Sequence, residues 1–425
     1  MATAIFGMQW GDEGKGKIAH LLAQQARMAV RFNGGPNAGH TMIDRGVQFG
    51  THLIPCGAFY PHTQCVLASG MLIDFAVLEE EVEAISNHLG QDLHLLLSEN
   101  AHVILPYHRV LEDLEGSGVR LGTTRRGIGP AYRDKVGRTG IRVGDLRFPQ
   151  RLHNKLAQRL DLLKRMWPGS PEIASFSASG LTSSVLERAR PFLPSVGDAA
   201  AAIRLALERE EEVLFEGAQG ALLDVDFGTY PYVTSSSTTF AGLANAIGIP
   251  APRVGRRIGT VKAYTTRVGE GPFPTELTDD EGAGRLRERG GEFGVTTGRP
   301  RRCGWLDLVA LRYASGLNIP TGLAITKLDV LSGMREIKVC RAYRLRNEEI
   351  AKFPTNLEDL EDCEPIYETL AGWKEDIRDV RAYEALPKAA RVYLERISQE
   401  LRVPVVLVSV GPTPEETIET GFDSW

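Results

Sequence analysis

The stretch Gly11-Asp-Glu-Gly-Lys-Gly-Lys17 follows the short apolar run 3–7 and precedes the helix-forming run 18–26. A strand, a glycine-rich turn and a helix place free backbone N–H groups at a helix N-terminus, where the dipole favours an anion. Lys15 and Lys17 add positive charge. The spacing of Gly11, Gly16 and Lys17 nearly matches a phosphate-binding P-loop, whose next residue is a Ser or Thr that holds Mg²⁺. Here that position is Ile18. Asp12 and Glu13 instead place carboxylates inside the loop, where an acid would face the terminal phosphate and either bind the metal or accept a proton. A glycine turn that binds nothing is the plainer alternative, and two lysines with two acids in one tight turn weigh against it.

Further polar loops follow apolar runs. Residues 33–41, after the run 28–32, carry Asn37, His40 and Thr41 among glycines that let a ligand approach the backbone. Residues 122–132 offer Thr124 and two arginines, and Arg138 follows. Such a run suits a phosphate-bearing ligand. Glu216 and Gln219 stand at the end of the run 212–217, and Gln219 can hydrogen-bond a nucleobase amide edge. Arg299, Arg301 and Arg302 crowd one loop, suited to carboxylate or phosphate. Thr326-Lys-Leu-Asp329 resembles the N-K-x-D guanine reader of GTPases, in which the Asp accepts from guanine N1–H and its 2-amino group. Each loop taken singly also reads as a solvated or structural turn.

These loops need strands to hold them. The runs 3–7, 212–217, 322–327 and 403–411 fit buried strands, with helices expected over Ala76–His88, Arg151–Met166, Ala199–Glu212 and Leu386–Leu401. Alternating strands and helices predict an α/β fold with a large, mainly parallel central sheet flanked by helices, in which ligands sit at the carboxyl ends of the strands. The 425 residues are expected to form one large P-loop-NTPase-like domain, 1–425, with a helical insertion around 150–210. Residues 168–184 read as a surface excursion and 278–294 as a mobile loop or lid. The net charge of −5 points to no general nucleic-acid or membrane partner. No apolar run reaches a membrane span of about 20 residues, and the charged N-terminus lacks the apolar core of a signal peptide. Five scattered cysteines without a C-x-x-C pair suggest reduced thiols and a cytoplasmic protein. All nine histidines lie between His20 and His153, so an imidazole for chemistry comes from the first third of the chain.

The segments 9–17, 34–41, 127–146, 215–239, 267–277 and 326–334 together resemble the adenylosuccinate synthetase family. The likeness runs from the first strand to residues 409–412 and is weakest over 150–210. It implies a GTP-dependent ligase that forms adenylosuccinate from IMP and L-aspartate through 6-phosphoryl-IMP, with one Mg²⁺ per subunit, on the route to AMP. Asp12 is implied as base toward N1–H of IMP, and His40 as hydrogen-bond or proton donor to the transferred phosphoryl group. GTP falls to Gly11, Asp12, Glu13, Gly14, Lys15, Gly16, Lys17, Gly39, His40, Thr41 and Arg301, with Lys327, Leu328, Asp329, Ser409, Val410 and Gly411 at the guanine. IMP falls to Asp12, Glu13, Gly14, Lys15, Asn37, Ala38, Gly39, His40, Thr124, Gln219, Thr234 and Arg299. Arg138 matches an arginine that reaches the partner subunit's IMP, which implies a homodimer. Aspartate falls to Val295, Thr296, Thr297, Gly298, Arg299 and Arg301, and Mg²⁺ to Asp12 and the Gly39 carbonyl. Four positions depart from the family pattern. Arg125 replaces a Gly, Phe227 a His, Pro300 an Arg and Val410 a Thr.

Two other readings compete. A GTPase-type switch with a deviant P-loop would need neither Gln219 nor the arginine loop. A non-catalytic descendant is expected to lose acids and histidines first, and Asp12, Lys15 and His40 are all present.

Overall fold

A computed structural model describes residues 2–116, 122–250, 253–278, 280–293 and 300–421. Ten strands form the central sheet: β1 Ala2–Gly7, β2 Met28–Arg31, β3 Gln64–Leu67, β4 Leu95–Ser98, β5 Val196–Gly197, β6 Val213–Glu216, β7 Arg256–Lys262, β8 Gly322–Thr326, β9 Val405–Ser409 and β10 Thr417–Glu419. Their order across the sheet is β10-β9-β8-β7-β1-β6-β2-β3-β4-β5. All neighbours run parallel except the edge strand β10, which is antiparallel to β9. The α/β fold expected from the alternating runs is therefore present.

Both faces of the sheet are buried, which explains why its strands are apolar throughout instead of alternating. Ile5 of β1 joins a core with Ile18, Leu67, Leu97 and Leu214. Its neighbours Ala4 and Phe6 point the other way, to Val30, Phe32, Phe215, Ile203 and Leu243. A third core packs β7, β8 and β9 against Leu311, Tyr393 and Ile397.

Two expectations change. Residues 168–184 are no surface excursion. They lie mostly in the helices Pro171–Ser175 and Ala178–Ala189, each opened by a serine side chain that accepts a backbone N–H. Ile173, Leu181 and Val185 bury into the first core, so the serines mark helix caps. Residues 280–290 of the expected lid form the helix Asp280–Gly290, with Ala283 and Leu286 buried. The helix Pro149–Met166 buries Leu152, Leu156, Leu160 and Leu163 at the spacing read from the sequence.

Central strand β1 lies between β6 and β7. The loops after β1, β2, β6, β7, β8 and β9 all leave the carboxyl edge of the sheet, and each carries residues singled out above. No helix among the described residues is long and apolar enough to cross a membrane.

Candidate active site

The loop after β1 ends at helix α1 (Lys15–Ala23), whose N-cap Gly14 has φ +80°. Gly11 and Asp12 also have positive φ. Gly16 is needed for a different reason: a Cβ there would lie 2.9 Å from the Thr41 carbonyl and 3.0 Å from His40 Cβ. The second glycine loop thus crosses directly over the start of α1, and Gly16 lets it do so.

The structure separates the two acids of the phosphate loop. Glu13 turns inward and is fully buried. Its Oε1 accepts from the N–H groups of Gln9 (3.0 Å) and Gly11 (2.9 Å), and Lys15 Nζ is 2.5 Å from Oε2. Gly7 and Gly220 make room, since a Cβ at either would stand 2.4 Å from the carboxylate. Glu13 is an internal anion that shapes the loop. Asp12 points outward, its side chain 31% exposed, with Arg301 Nε 2.8 Å from Oδ2.

His40 opens the short strand after the second loop and is buried. Its Nδ1 lies 2.5 Å from Glu216 Oε1, and the Cys56 N–H donates to Glu216 Oε2 at 2.7 Å. Arg31 Nη1 is 3.4 Å from the same carboxylate. Burial alone would raise Glu216, but His40, Arg31 and the Cys56 N–H hold it at about 2. Burial, aided by Arg31, lowers His40 to about 4, so the imidazole is neutral at pH 7. Neutral His40 donates Nδ1–H to Glu216, which leaves Nε2 as the free atom; Nε2 is buried and has no protein partner. The ligand-capable atoms of His40, Cys56 and Glu216 lie within 4.8 Å of one another. They are already spent on each other and on Arg31.

Gln219 sits at φ +60° on the loop after β6. Both atoms of its side-chain amide are buried without a partner. That amide lies over Gly34, where a Cβ would be 3.3 Å from Oε1. Asn37 donates to Thr234 Oγ1 at 3.2 Å across 197 residues, and Asn37 Oδ1 is unpaired and buried. Two residues expected at one ligand are thus in contact. Thr124 is exposed. Next to it Arg125 takes the left-handed φ +53°, a conformation that favours glycine. The following turn is pinned by the Gly127 N–H, 2.6 Å from Glu112 Oε2. Arg138 is exposed at φ +61°, just past the helix Ile128–Val136, whose last residue Val136 is 79% exposed.

Lys17 reaches away from β1 to the loop after β9. Its Nζ donates to Ser409 Oγ (2.7 Å) and the Gly411 (2.7 Å) and Glu416 (3.1 Å) carbonyls. Burial lowers Lys17 to about 7 against the pull of Glu416 and Asp329. Lys327 caps β8 at φ +55° and bonds Glu292 Oε1 (3.0 Å) and the Gly290 carbonyl. Burial also raises Asp329 above its ordinary value, with Lys327, Lys17 and Arg289 pulling it back. Leu328 and Val410 are buried in the core beneath these loops. Residues 295–299, expected at aspartate, lie outside the described residues. Pro300 bridges Phe293, and the Arg301 N–H donates to the Glu292 carbonyl at 2.9 Å.

Hard oxygen donors suit Mg²⁺, which commonly takes one or two carboxylates, phosphate oxygens and waters. The outward carboxylate of Asp12 and the exposed, open backbone at Gly39 fit that requirement.

Glu216 and Glu292 carry more of the site than their motifs indicate. In the sequence Glu216 is only an acid at a strand end and Glu292 lies within the expected lid 278–294. An isolated acid flanked by apolar or glycine residues, as in 213–217 and 290–293, is the available sign, because burying it demands partners.

Fold and site together define a phosphate-loop α/β nucleotide enzyme whose loop carboxylate stands where the usual metal-binding hydroxyl is missing. Residues 4–418 match the family described as adenylosuccinate synthetase. The adenylosuccinate synthetase of Halothermothrix orenii is 47% identical over 418 residues, covering 97% of each chain. That of Desulforudis audaxviator is 48% identical over 428 residues, covering 98% of each. The fully ligated adenylosuccinate synthetase structure from Plasmodium falciparum superposes with a TM-score of 0.91 at 39% identity, covering 98% of this chain and 99% of that one. This chain belongs to the adenylosuccinate synthetase family.

Proposed function

We propose that the chain is a GTP-dependent ligase of AMP biosynthesis that joins IMP to L-aspartate with release of GDP and phosphate. One observation carries the detailed reading. Asp12 stands outward on a phosphate loop, and the loops around it present buried polar atoms with no protein partner: His40 Nε2, both Gln219 amide atoms and Asn37 Oδ1. Leaving such atoms unpaired costs about 1–3 kcal/mol each, so the site is built for a ligand that pairs them. A purine with a 6-oxo group and an N1–H offers both a donor and an acceptor.

In this reading Gln219 orients the purine edge and Asn37 with Thr234 the remainder of IMP. Asp12 accepts the N1 proton as charge develops on O6, and O6 attacks the γ-phosphorus of GTP. Phosphoryl transfer turns a poor leaving oxygen into a good one, and the amino group of aspartate then displaces phosphate at C6. His40 Nε2 faces the phosphoryl group. An anion there favours protonated imidazole, so His40 enters as a donor, oriented by Glu216 through Nδ1. Asp12 and the Gly39 carbonyl would hold Mg²⁺, which neutralises phosphate charge when bound. Arg301, drawn toward Asp12, is free to turn to phosphate or to aspartate carboxylate once cation and substrate arrive. Arg138, exposed beyond its helix, is placed to reach a neighbouring subunit's IMP in a homodimer.

The test is formation of adenylosuccinate, followed by its ultraviolet absorbance, with GTP, IMP, aspartate and Mg²⁺. Product is expected only when all four are present. Tight GTP binding by folded protein without product would overturn the ligase reading in favour of a GTPase-type switch.

A further inference from the structure

We infer that Glu292 is a positioning residue that ties the guanine-side lysine, Lys327, to the arginine facing Asp12, Arg301. The inference rests on the ligase reading above. Glu292 is fully buried. Its Oε1 takes Lys262 Nζ at 2.8 Å, Tyr264 OH at 2.5 Å and Lys327 Nζ at 3.0 Å. Its Oε2 takes Arg301 Nη1 at 2.9 Å. Those partners come from the ends of β7 and β8 and from Arg301. Four donors reach this one carboxylate, three at Oε1 and one at Oε2. Burial would raise its pKa, but Lys262 and Lys327 hold it well below the ordinary carboxylate range.

The same guanidinium also forms an ion pair with Asp12, its Nε 2.8 Å from Oδ2 but outside hydrogen-bond geometry. A continuous path of charged groups therefore runs Lys327–Glu292–Arg301–Asp12. Lys327 follows β8 beside Asp329, while Arg301 stands beside the phosphate loop. One carboxylate sets the reach of both cations. If a bound base draws Lys327 away from Oε1, Glu292 loses one of its three cations and holds Arg301 more tightly. Guanine occupancy then bears on how Arg301 is shared between Asp12 and the substrate. A salt bridge that only stabilised the Asp280–Gly290 region would have no such consequence.

The experiment is a double-mutant cycle on the full chain, read as KM for each substrate and kcat. Product formation by the unmodified chain is measured first; its absence defeats the ligase reading regardless of Glu292. Lys327→Met, a change on the guanine side, is expected to raise KM for aspartate about 3- to 100-fold, the range for groups sharing one ion-pair network. In a Glu292→Gln background the same change is expected to alter aspartate KM less than about twofold, while KM for IMP stays level throughout. Circular dichroism melting checks that each variant is folded. Should Glu292→Gln not fold, Glu292→Asp takes its place, because it keeps the charge but is too short to hold both cations. An aspartate KM unchanged by Lys327→Met, or raised equally in both backgrounds, overturns the inference.

Discussion

The site has two halves, each organised around one buried carboxylate, and they solve opposite problems. Around Glu216, on β2 and β6, the polar groups face inward unpaired: His40 Nε2, the Gln219 amide and Asn37 Oδ1. Around Glu292, on β7 and β8, the charged groups are paired with each other: Lys327 and Arg301 with Glu292, Arg301 also with Asp12. The first half is preformed, its cost met in folding, and a ligand has only to fill it. The second half satisfies itself, and a ligand must displace a partner before it can bind. Neutral hydrogen-bonding groups can be left waiting at about 1–3 kcal/mol each. Buried charges cannot, because an unpaired ion costs several times more. On the proposed reading, the half given to the purine edge can therefore be rigid, while the half given to phosphate and carboxylate has to exchange partners.

Asp12 joins the halves, so its replacement should have the largest effect. Asp12→Asn keeps the side-chain shape but neither takes a proton nor holds Arg301. Turnover is expected to fall by about 10²–10⁴, the range for a lost general base, with GTP binding by calorimetry changed only a few-fold. Near-normal turnover would remove Asp12 from the chemistry. Arg138→Leu should cost about 10²-fold, as for a lost charge-assisted contact. Mixing inactive Arg138→Leu with inactive Asp12→Asn subunits should restore about a quarter of the activity, since half the dimers are mixed and each has one intact site. Proven mixed dimers without recovery would argue against a shared site.

The preformed half was the more legible of the two in the sequence, for a physical reason. Glycine loops after strands must be spelled locally, so Gly11–Lys17 and 34–41 announced themselves. Asn37 with Thr234, and Lys17 with Ser409 and Gly411, were named separately and meet in space. The two carboxylate hubs were not legible as hubs. Their partners come from strands up to 185 residues apart, as Arg31 and Glu216 do, and only the sheet order brings them together. The inward turn of Glu13 was equally hidden. Its carboxylate depends on space left at Gly7 and Gly220, which no local spacing reveals. The serines of 168–184 misled because the same residues that make loops also cap helices.

The Glu216 hub carries a pH signature. Glu216 is held at about 2 in the fold against 4.5 unfolded, and neutral His40 at about 4 against 6.5. Both pKa values are depressed, so the unfolded chain binds more protons. The stability these groups contribute is complete above about pH 6.5 and is lost as pH falls, through His40 first and then Glu216. Arg31 and Cys56 also face the pair, and burial raises the Cys56 thiol, away from that window. Glu216→Gln should flatten the fall of melting temperature between about pH 4.5 and 2, the window in which Glu216 gains its proton. It should also lower kcat about 10- to 100-fold through misorientation of His40, comparable to losing a partner that orients a reacting histidine. An unchanged pH slope would show that the pair is not the acid-sensitive element.

The smallest expected effect tests whether the preformed half tolerates strain. Arg125 occupies a left-handed backbone conformation at φ +53°, and its guanidinium reaches Asp113 only at 4.0 Å with both side chains mostly exposed. An exposed pair of that kind contributes little, whereas a non-glycine residue in this region costs about 1–2 kcal/mol. Arg125→Gly removes the cost but frees the unfolded chain, so the net gain is about 1 kcal/mol or less. Melting temperature should rise by a degree or two for a chain of this size. Arg125 also adjoins Thr124 on the loop assigned to IMP, so the same variant reports whether the added cation serves the ligand. If KM for IMP is unchanged while stability rises, Arg125 is strain without function. If KM for IMP increases several-fold, the left-handed arginine is part of the phosphate contact, and the preformed half holds a charged group in waiting after all.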